Sequence, residues 1–398
     1  MKENFQHCIK CTLCEEHCPV YLVDPGFPGP KQAGPDAERF RMDNHMPVDE
    51  WVRKCAQCRR CDVACPHDVN PSHFIFQAIV RYASAHGKGL APSVFAANFY
   101  LGRLGSFFAP ITNFVSGNKQ MKKMFRLLGI STYLPFPRFY FQTLSRNRKR
   151  KGSGKGKPKV VFFHGCFLDN NAPGVGRSII DVLAGLGIRV VVPAQVCCGL
   201  PALANGDLNG AKRFAHKNIS ALSEYIDNGY DVIYSCPSCG NTLTQDYPEI
   251  LDASHGKKIA RNTYDVYEYL LMLMKTGEIN PFFSPVHKRV AYHIPCHLRA
   301  MGIGYPAAKL LGMIPGLTIR IHDDHCCGLS GSYGFKAKFE ETAMKLGTIA
   351  ADAILETAPD ILISDCGTCR IQMSHFTKLD AMDPIQVLSL SLNPGHNK

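Results

Sequence analysis

The sequence has no run of about 18 or more consecutive apolar residues, so a conventional membrane-spanning helix is excluded. Its opening residues, MKENFQHCIKC, hold no apolar core and no small-residue cleavage site. No secretory signal peptide is therefore expected, and the thiols are expected to sit in a reducing cytosol. No Gly-x-Gly-x-x-Gly lies between a strand and a helix: Gly174-Val175-Gly176 lacks the third glycine and the adjacent strand, so nothing supports a flavin or nicotinamide site in this chain. Lipase, kinase and metalloprotease motifs are also absent. The low-hydrophobicity, high-charge profile of a disordered chain is missing too, since 45% of residues are hydrophobic and 20% charged.

At 398 residues the chain is too long for one ordinary core, and two or three domains are expected. Its 18 cysteines divide it. Residues 1–87 form a cysteine-dense head ending in SHFIFQAIVRYASAHG, where Phe74, Ile75, Ala78, Ile79 and Tyr82 recur at helical spacing between Asn70-Pro71-Ser72 and Gly87. Residues 88–158 contain no cysteine and very little acid; from Pro92 to Val115 the single charge is Arg103, among five phenylalanines. Basic and aromatic stretches follow, ending in RNRKRKGSGKGKPK. Such a segment can lie on an anionic membrane surface, or it can be a helical connector with a solvated Gly/Lys linker. From 159 onward strand and helix patterns alternate twice. VVFFHGC, IRVVVP and DVIYSC alternate with helical stretches near 173–185 and 207–227; RVAYHIPC, LTIRIHD and DILISDC alternate with helices near 305–312 and 336–357. That alternation predicts parallel sheets in two repeats, 159–285 and 286–398.

The cysteine spacing carries the chemistry. Cys8-x2-Cys11-x2-Cys14-x3-Cys18-Pro19 is repeated as Cys55-x2-Cys58-x2-Cys61-x3-Cys65-Pro66, the bacterial ferredoxin pattern for two 4Fe-4S clusters. In that pattern the fourth cysteine serves the other motif's cluster, so the expected ligand sets are Cys8, Cys11, Cys14, Cys65 and Cys55, Cys58, Cys61, Cys18. Zinc sites use paired cysteines rather than three in succession followed by Cys-Pro. With roughly −2 on each cluster and its thiolates, the formal charge of +12 falls to about +8, and no nucleic-acid partner is expected. The 36-residue gap from Cys18 to Cys55 leads into a helical-looking stretch, VDEWVRKCAQC, and the head resembles the helical ferredoxin module of succinate dehydrogenase iron-sulfur subunits.

The other ten cysteines form a five-cysteine set used twice: Cys166, Cys197-Cys198-Gly199 and Cys236-x2-Cys239, then Cys296, Cys326-Cys327-Gly328 and Cys366-x2-Cys369, offset by 129 or 130 residues. In each half the first cysteine and the Cys-x-x-Cys pair directly follow strand patterns, so the thiols should converge at the carboxyl edge of a parallel sheet. An iron-sulfur cluster accounts for all five; a zinc site in one half and a thioredoxin-like dithiol at Cys236–Cys239 or Cys366–Cys369 are the other readings. His164, His293, His297 and His325 stand beside these cysteines, where each can tune a cluster, pass a proton or be only a neighbour.

The Cys-Cys-Gly repeat resembles the CCG domain shared by the B subunits of heterodisulfide reductases, glycolate oxidase iron-sulfur subunits and the C subunits of anaerobic glycerol-3-phosphate dehydrogenases. The segments GFPGPKQAGPDAERFR, FFHGCF, CCGLPALANG and CCGLSGSYGFK resemble the last of these families most, along about 1–390. The resemblance implies an α+β multidomain protein: a mostly helical two-cluster ferredoxin domain, then two pseudo-repeat α/β CCG domains with parallel sheets. It further implies one or two non-cubane 4Fe-4S clusters in those domains, and no catalytic residue of the chain's own. FAD-containing partner subunits would oxidise sn-glycerol 3-phosphate to dihydroxyacetone phosphate. This chain would pass the electrons to menaquinone and tether the complex peripherally to the cytoplasmic face of the inner membrane. The alternatives are the iron-sulfur subunit of a lactate or glycolate oxidase, or a heterodisulfide reductase-like thiol/disulfide enzyme.

Overall fold

A computed structural model describes residues 4–44, 47–146, 158–251 and 253–392, so most of the basic run at 146–159 lies outside the described residues. The expected helix in the head runs Pro71–His86. Proline supplies its first turn and Gly87, at φ 77°, ends it. Phe74, Ile75, Ala78 and Ile79 form its buried face. The helix closes over the cysteine loops, because the backbone N–H of Ser72 donates to Asp62 Oδ1 at 2.9 Å and Phe74 packs with Phe5 and Val69 against Cys8 and Cys65. The expected helix through VDEWVRKCAQC is instead a single 3-10 turn, Glu50–Lys54. Cys55 leaves helical backbone at φ −63°, ψ 123°, because a loop wrapped around a cluster cannot remain a helix.

The segment after the head is four short helices, Leu90–Ala96, Asn98–Phe107, Ala109–Gly117 and Lys119–Leu127. Among the described residues no helix is long and apolar enough to cross a membrane. The last helix starts at Asn118, whose side chain accepts from the N–H groups of Gln120 and Met121. This connector is strapped across both repeats. Phe99 packs on Phe214, with ring centroids 5.6 Å apart, and Ser106 Oγ donates to Asn170 Oδ1 at 3.0 Å. Farther along, the N–H of Ser131 donates to the Phe335 carbonyl at 2.8 Å.

Two four-stranded parallel sheets follow, with matching strand order. The first comprises β1 (Lys159–Phe163), β2 (Arg189–Val191), β3 (Asp231–Tyr234) and β4 (Thr263–Asp265), in the order β2-β1-β3-β4. The second comprises β5 (Lys288–His293), β6 (Leu317–His322), β7 (Ile361–Ile363) and β8 (Ala381–Met382), in the order β6-β5-β7-β8. Val160 pairs with Val190 and Asp231, and Val290 with Ile319 and Ile361, so the central strand of each sheet has neighbours on both sides. Burial on both faces explains the unbroken apolar runs of β1 and β3. The repeats share one core: Val160 and Phe162 pack in the same cluster as Val290 and Tyr292. Asp383 of the second repeat is held across this core, accepting from Tyr267 Oη at 2.7 Å and from Arg370 Nη1 at 2.6 Å.

A close contact joins the two cysteine-rich ends. Gly367, next to Cys366, leaves room for the ring of Phe167, next to Cys166; a Cβ on Gly367 would lie 2.1 Å from Phe167 Cε1. Overpacking of this kind costs about 1–3 kcal/mol. Gly367→Ala is therefore expected to lower the denaturant midpoint of the iron-loaded protein, whereas Gly185→Ala, whose Cβ meets nothing within 4 Å, should not. An unchanged midpoint for Gly367→Ala would show that the ring can move aside.

Candidate metal centres

Both ferredoxin motifs bend in the same way. Lys10 and Thr12 flank Cys11 with φ of 60° and 67°, and Gln57 and Arg59 flank Cys58 with φ of 53° and 61°. A left-handed residue on each side of the middle cysteine curls the chain around a point, and the N–H of Gln57 donates to Cys55 Sγ at 3.3 Å. Cys8, Cys11, Cys14 and Cys65 line one cavity. Burial pushes the Cys14 thiol up to about 12, and Glu15 and then the Cys8, Cys11 and Cys65 thiols add to it. Burial also raises Cys18, with Cys58 and Cys55 adding to it, and raises Cys61 with help from Asp62, Cys58, Cys55 and Cys18. The fourth cysteine of each motif thus lies with the first three of the other. Thiols that oppose one another's ionisation suit a multiply charged metal core, which relieves that repulsion.

The duplicated five-cysteine set converges in both halves. In the first, Cys197 lies 3.8 Å from Cys166, sulfur to sulfur, and is hydrogen-bonded to Cys198, which meets Cys239, which in turn meets Cys236. In the second, Cys369 Sγ donates to Cys327 Sγ at 3.3 Å; Cys327 meets Cys326, Cys326 meets Cys296, and Cys366 adjoins Cys369. Each half holds a thiol well below its usual pKa, Cys198 by hydrogen bonds from Cys197 and Cys239 and Cys326 by those from Cys296 and Cys327, and in the second half the hydrogen bond from Cys369 also lowers Cys366 to about 6. Backbone donors point at sulfur, with Gly199 N–H to Cys197 Sγ at 3.5 Å and Gly328 N–H to Cys326 Sγ at 3.4 Å. The glycine after each Cys-Cys is required. Gly328 has φ 84°, and a Cβ there would sit 2.5 Å from the Ala343 carbonyl oxygen. Clustered sulfurs supplied with N–H donors fit iron-sulfur ligation.

The head and the repeats are tied together at their cysteine groups by residues that motif spacing alone does not reveal. The thiols of Cys326 and Cys58 both act on Cys296, so the second ferredoxin loop lies against the second repeat's cysteines. Arg60 is buried there, donating to the carbonyls of Asp323 at 2.9 Å and Asp324 at 2.6 Å. Burial opposes its charge, but Cys296, Cys326 and Cys58 outweigh burial and hold the guanidinium above its usual pKa. Its neighbour Arg59 is ion-paired with Asp246 of the first repeat. At the other end, Asn98 of the connector donates to Cys166 Sγ at 3.6 Å. The two adjacent arginines inside the Cys58–Cys61 interval were the available signal for the first of these contacts. Asn98 carries no such signal.

The four histidines separate. His297 bridges Ser238 Oγ at 2.9 Å and the Gln57 carbonyl at 3.1 Å, tying the head to both repeats. His164 is buried, with Nδ1 2.8 Å from the Gly165 carbonyl oxygen. His293 is buried beside Cys327 and Cys369, and His325 is exposed.

A helical head with paired ferredoxin loops, followed by two parallel-sheet repeats that each gather five thiols, defines an iron-sulfur electron-transfer protein. The 4Fe-4S dicluster domain model matches residues 4–69, and the cysteine-rich domain model matches 160–244 and 290–374. The chain is 34% identical to the C subunit of the anaerobic glycerol-3-phosphate dehydrogenase of Escherichia coli (strain K12), over 98% of this chain and 99% of that one. It is also 25% identical to the D subunit of the dihydromethanophenazine:CoB–CoM heterodisulfide reductase of Methanosarcina barkeri, over 92% of this chain and 88% of the relative. Lactate utilization protein A of Bacillus cereus is 29% identical, over 52% of this chain and 87% of the relative. The chain belongs to the family of anaerobic glycerol-3-phosphate dehydrogenase C subunits, and it carries several 4Fe-4S clusters.

Proposed function

We propose that this chain takes electrons from FAD-containing subunits that oxidise sn-glycerol 3-phosphate, delivers them to menaquinone and holds the complex on the cytoplasmic face of the membrane. Cys8, Cys11, Cys14 and Cys65 hold one cluster and Cys18, Cys55, Cys58 and Cys61 the next; the five-cysteine sets hold the others. The head (1–87), connector (88–158) and two repeats (159–285 and 286–398) are its working parts. When bound, the clusters supply one-electron sites at which electrons can pause between partner and acceptor. Reoxidation of the partner's reduced flavin releases two electrons and two protons, which is what menaquinone takes up on becoming menaquinol.

The observation that carries this reading is the contact between the head's second cysteine group and the second repeat's, through Cys58 and Cys296. Cys11 is the one exposed cysteine of the 18, beside exposed Ile9 and Leu13, which suits docking of an electron donor. Cys166, at the first repeat's end of the chain's cysteine groups in sequence, lies under the Asn98–Phe107 helix, whose outer side exposes Leu101, Leu104 and Phe107. A lipid-soluble acceptor would find that end one helix away from the membrane surface. Mixing the iron-loaded chain anaerobically with glycerol-3-phosphate dehydrogenase subunits, glycerol 3-phosphate and a menaquinone should yield menaquinol only when the chain is present. An equal rate without it, or fewer than about eight iron atoms per chain, the number two cubanes require, would defeat the reading.

A second reading, reduction of a disulfide by the repeats themselves, has one feature in its favour. A cavity of about 310 Å³ opens between head and repeats, walled in part by Arg59, His73, Asp246 and His297. Thiol release from a disulfide by the reduced chain, without quinone reduction, would favour it.

A further inference from the structure

The two cysteine-rich groups are not chemically equivalent, and His293 is the difference. In β5, alternation puts Tyr292 into the core between the repeats and turns Ala291 to the opposite face, where it packs with Cys327, Cys366 and Cys369. His293 shares the face of Ala291. Its ring is 1% exposed, and its Nε2 has no hydrogen-bond partner among the described residues. One ligand atom each from His293, Cys327 and Cys369 lie within 4.8 Å of one another. The 130-residue offset of the repeats puts Phe163 in the corresponding place at the end of β1. Phe163 is likewise buried, packed with Cys197, Cys198 and Cys239. A phenyl ring fills that position without any unmet polar atom, whereas the imidazole buries an unpartnered nitrogen on a ring that lies beside two thiols. A buried polar atom without a protein partner calls for a partner of another kind.

We propose that His293 Nε2 is a direct ligand to iron in the second cysteine-rich centre, which then has mixed imidazole and thiolate coordination while the first is all thiolate. The proposal rests on the reading that both five-cysteine sets hold iron. Neutral imidazole is a common iron ligand, and here it takes the place of one of the five thiolates on iron, so the second centre's net charge is less negative and its reduction potential higher, as where imidazole replaces thiolate on other iron-sulfur centres. The two repeats therefore hold electrons unequally. The centre of higher potential is the one whose Cys296 touches Cys58 of the ferredoxin head.

Pulsed EPR of the full chain, anaerobically loaded with iron, reduced and labelled with 15N-histidine, tests this. The expected spectrum contains the strong coupling of a directly bound 15N, and His293→Phe, which copies the first repeat, removes it while the other centres' signals persist. His293→Cys replaces a neutral ligand with an anionic one. It should make the second centre at least tenfold harder to reduce, about 59 mV for a one-electron couple. Iron-loaded wild-type protein without 15N coupling, coupling that survives His293→Phe, or an unchanged midpoint in His293→Cys overturns the proposal. Zinc with imidazole and thiolate ligands at this position also overturns it. If His293→Phe loses the second centre altogether, the wild-type spectrum and the His293→Cys midpoint decide. Wild-type protein with no iron at either five-cysteine set would instead defeat the underlying reading, a result distinct from iron without nitrogen.

Discussion

Replacing Cys61 by serine is expected to cut the rate of menaquinol formation from glycerol 3-phosphate by at least about 100-fold, the upper end of what losing even an outer partner of a metal ligand costs. Oxidation of the same substrate by the partner subunits with a soluble dye should continue at the wild-type rate. Cys61 is buried, and its thiol is raised by burial, by Asp62 and by Cys58, Cys55 and Cys18, so it sits inside the group it serves. Serine offers a harder oxygen that stays protonated near neutral pH and is a poor replacement for thiolate on iron. This group also stands between two others. It shares the head with the exposed Cys11 group and reaches the second repeat through Cys58 and Cys296. Its loss should break the series in the middle rather than shorten one end. Anaerobic EPR should show the signal of one ferredoxin centre missing. Full quinone reduction with that signal absent would mean that electrons reach the repeats by another route.

The grouping of the cysteines was largely legible in the sequence because covalent spacing dictates which thiols can come together around one point. The exchange of Cys18 and Cys65 between motifs and the two five-thiol sets follow from spacing and period, and the folded chain groups the same residues. What escaped was long-range or too short to show a pattern. Strands β4 and β8, of three and two residues, are too brief for any periodicity. Arg60 gains its role from carbonyls more than 260 positions away, and Asn98 from a cysteine 68 positions away. The stretch VDEWVRKCAQC has helical spacing, but the loop geometry around Cys55 and Cys58 overrides local propensity there. His293 was visible as a histidine near cysteines. Only the alternation of β5 turned it toward Cys327 and Cys369, with Phe163 in its place in the first repeat.

Substituting aspartate for Leu104, Ile111 and Phe114 together should weaken binding of the chain to anionic vesicles by at least about 100-fold. These side chains are 58%, 63% and 75% exposed, so the fold loses little when they change. The opposite face of the Asn98–Phe107 helix, with Phe99, Gly102 and Ser106, makes the contacts to the first repeat and is left intact. Moving a large apolar side chain out of water is worth about 1.5 kcal/mol or more, so three fully inserted residues would supply roughly 4.5 kcal/mol. At about 1.4 kcal/mol per factor of ten that is three decades, and partial insertion still leaves two. The neighbouring Lys119–Leu127 helix provides an independent contribution of a different kind. Lys119, Lys122 and Lys123 can each add about 1 kcal/mol near an anionic surface. Changing the three lysines to glutamine should therefore weaken binding to anionic vesicles at low salt and leave binding to neutral vesicles unchanged, whereas the aspartate variant should lose both. Wild-type sedimentation of the aspartate variant would remove these helices from the membrane and leave Cys166 without a lipid-facing side. Loss of vesicle binding with dye-linked turnover and iron content intact would tie attachment to this face alone.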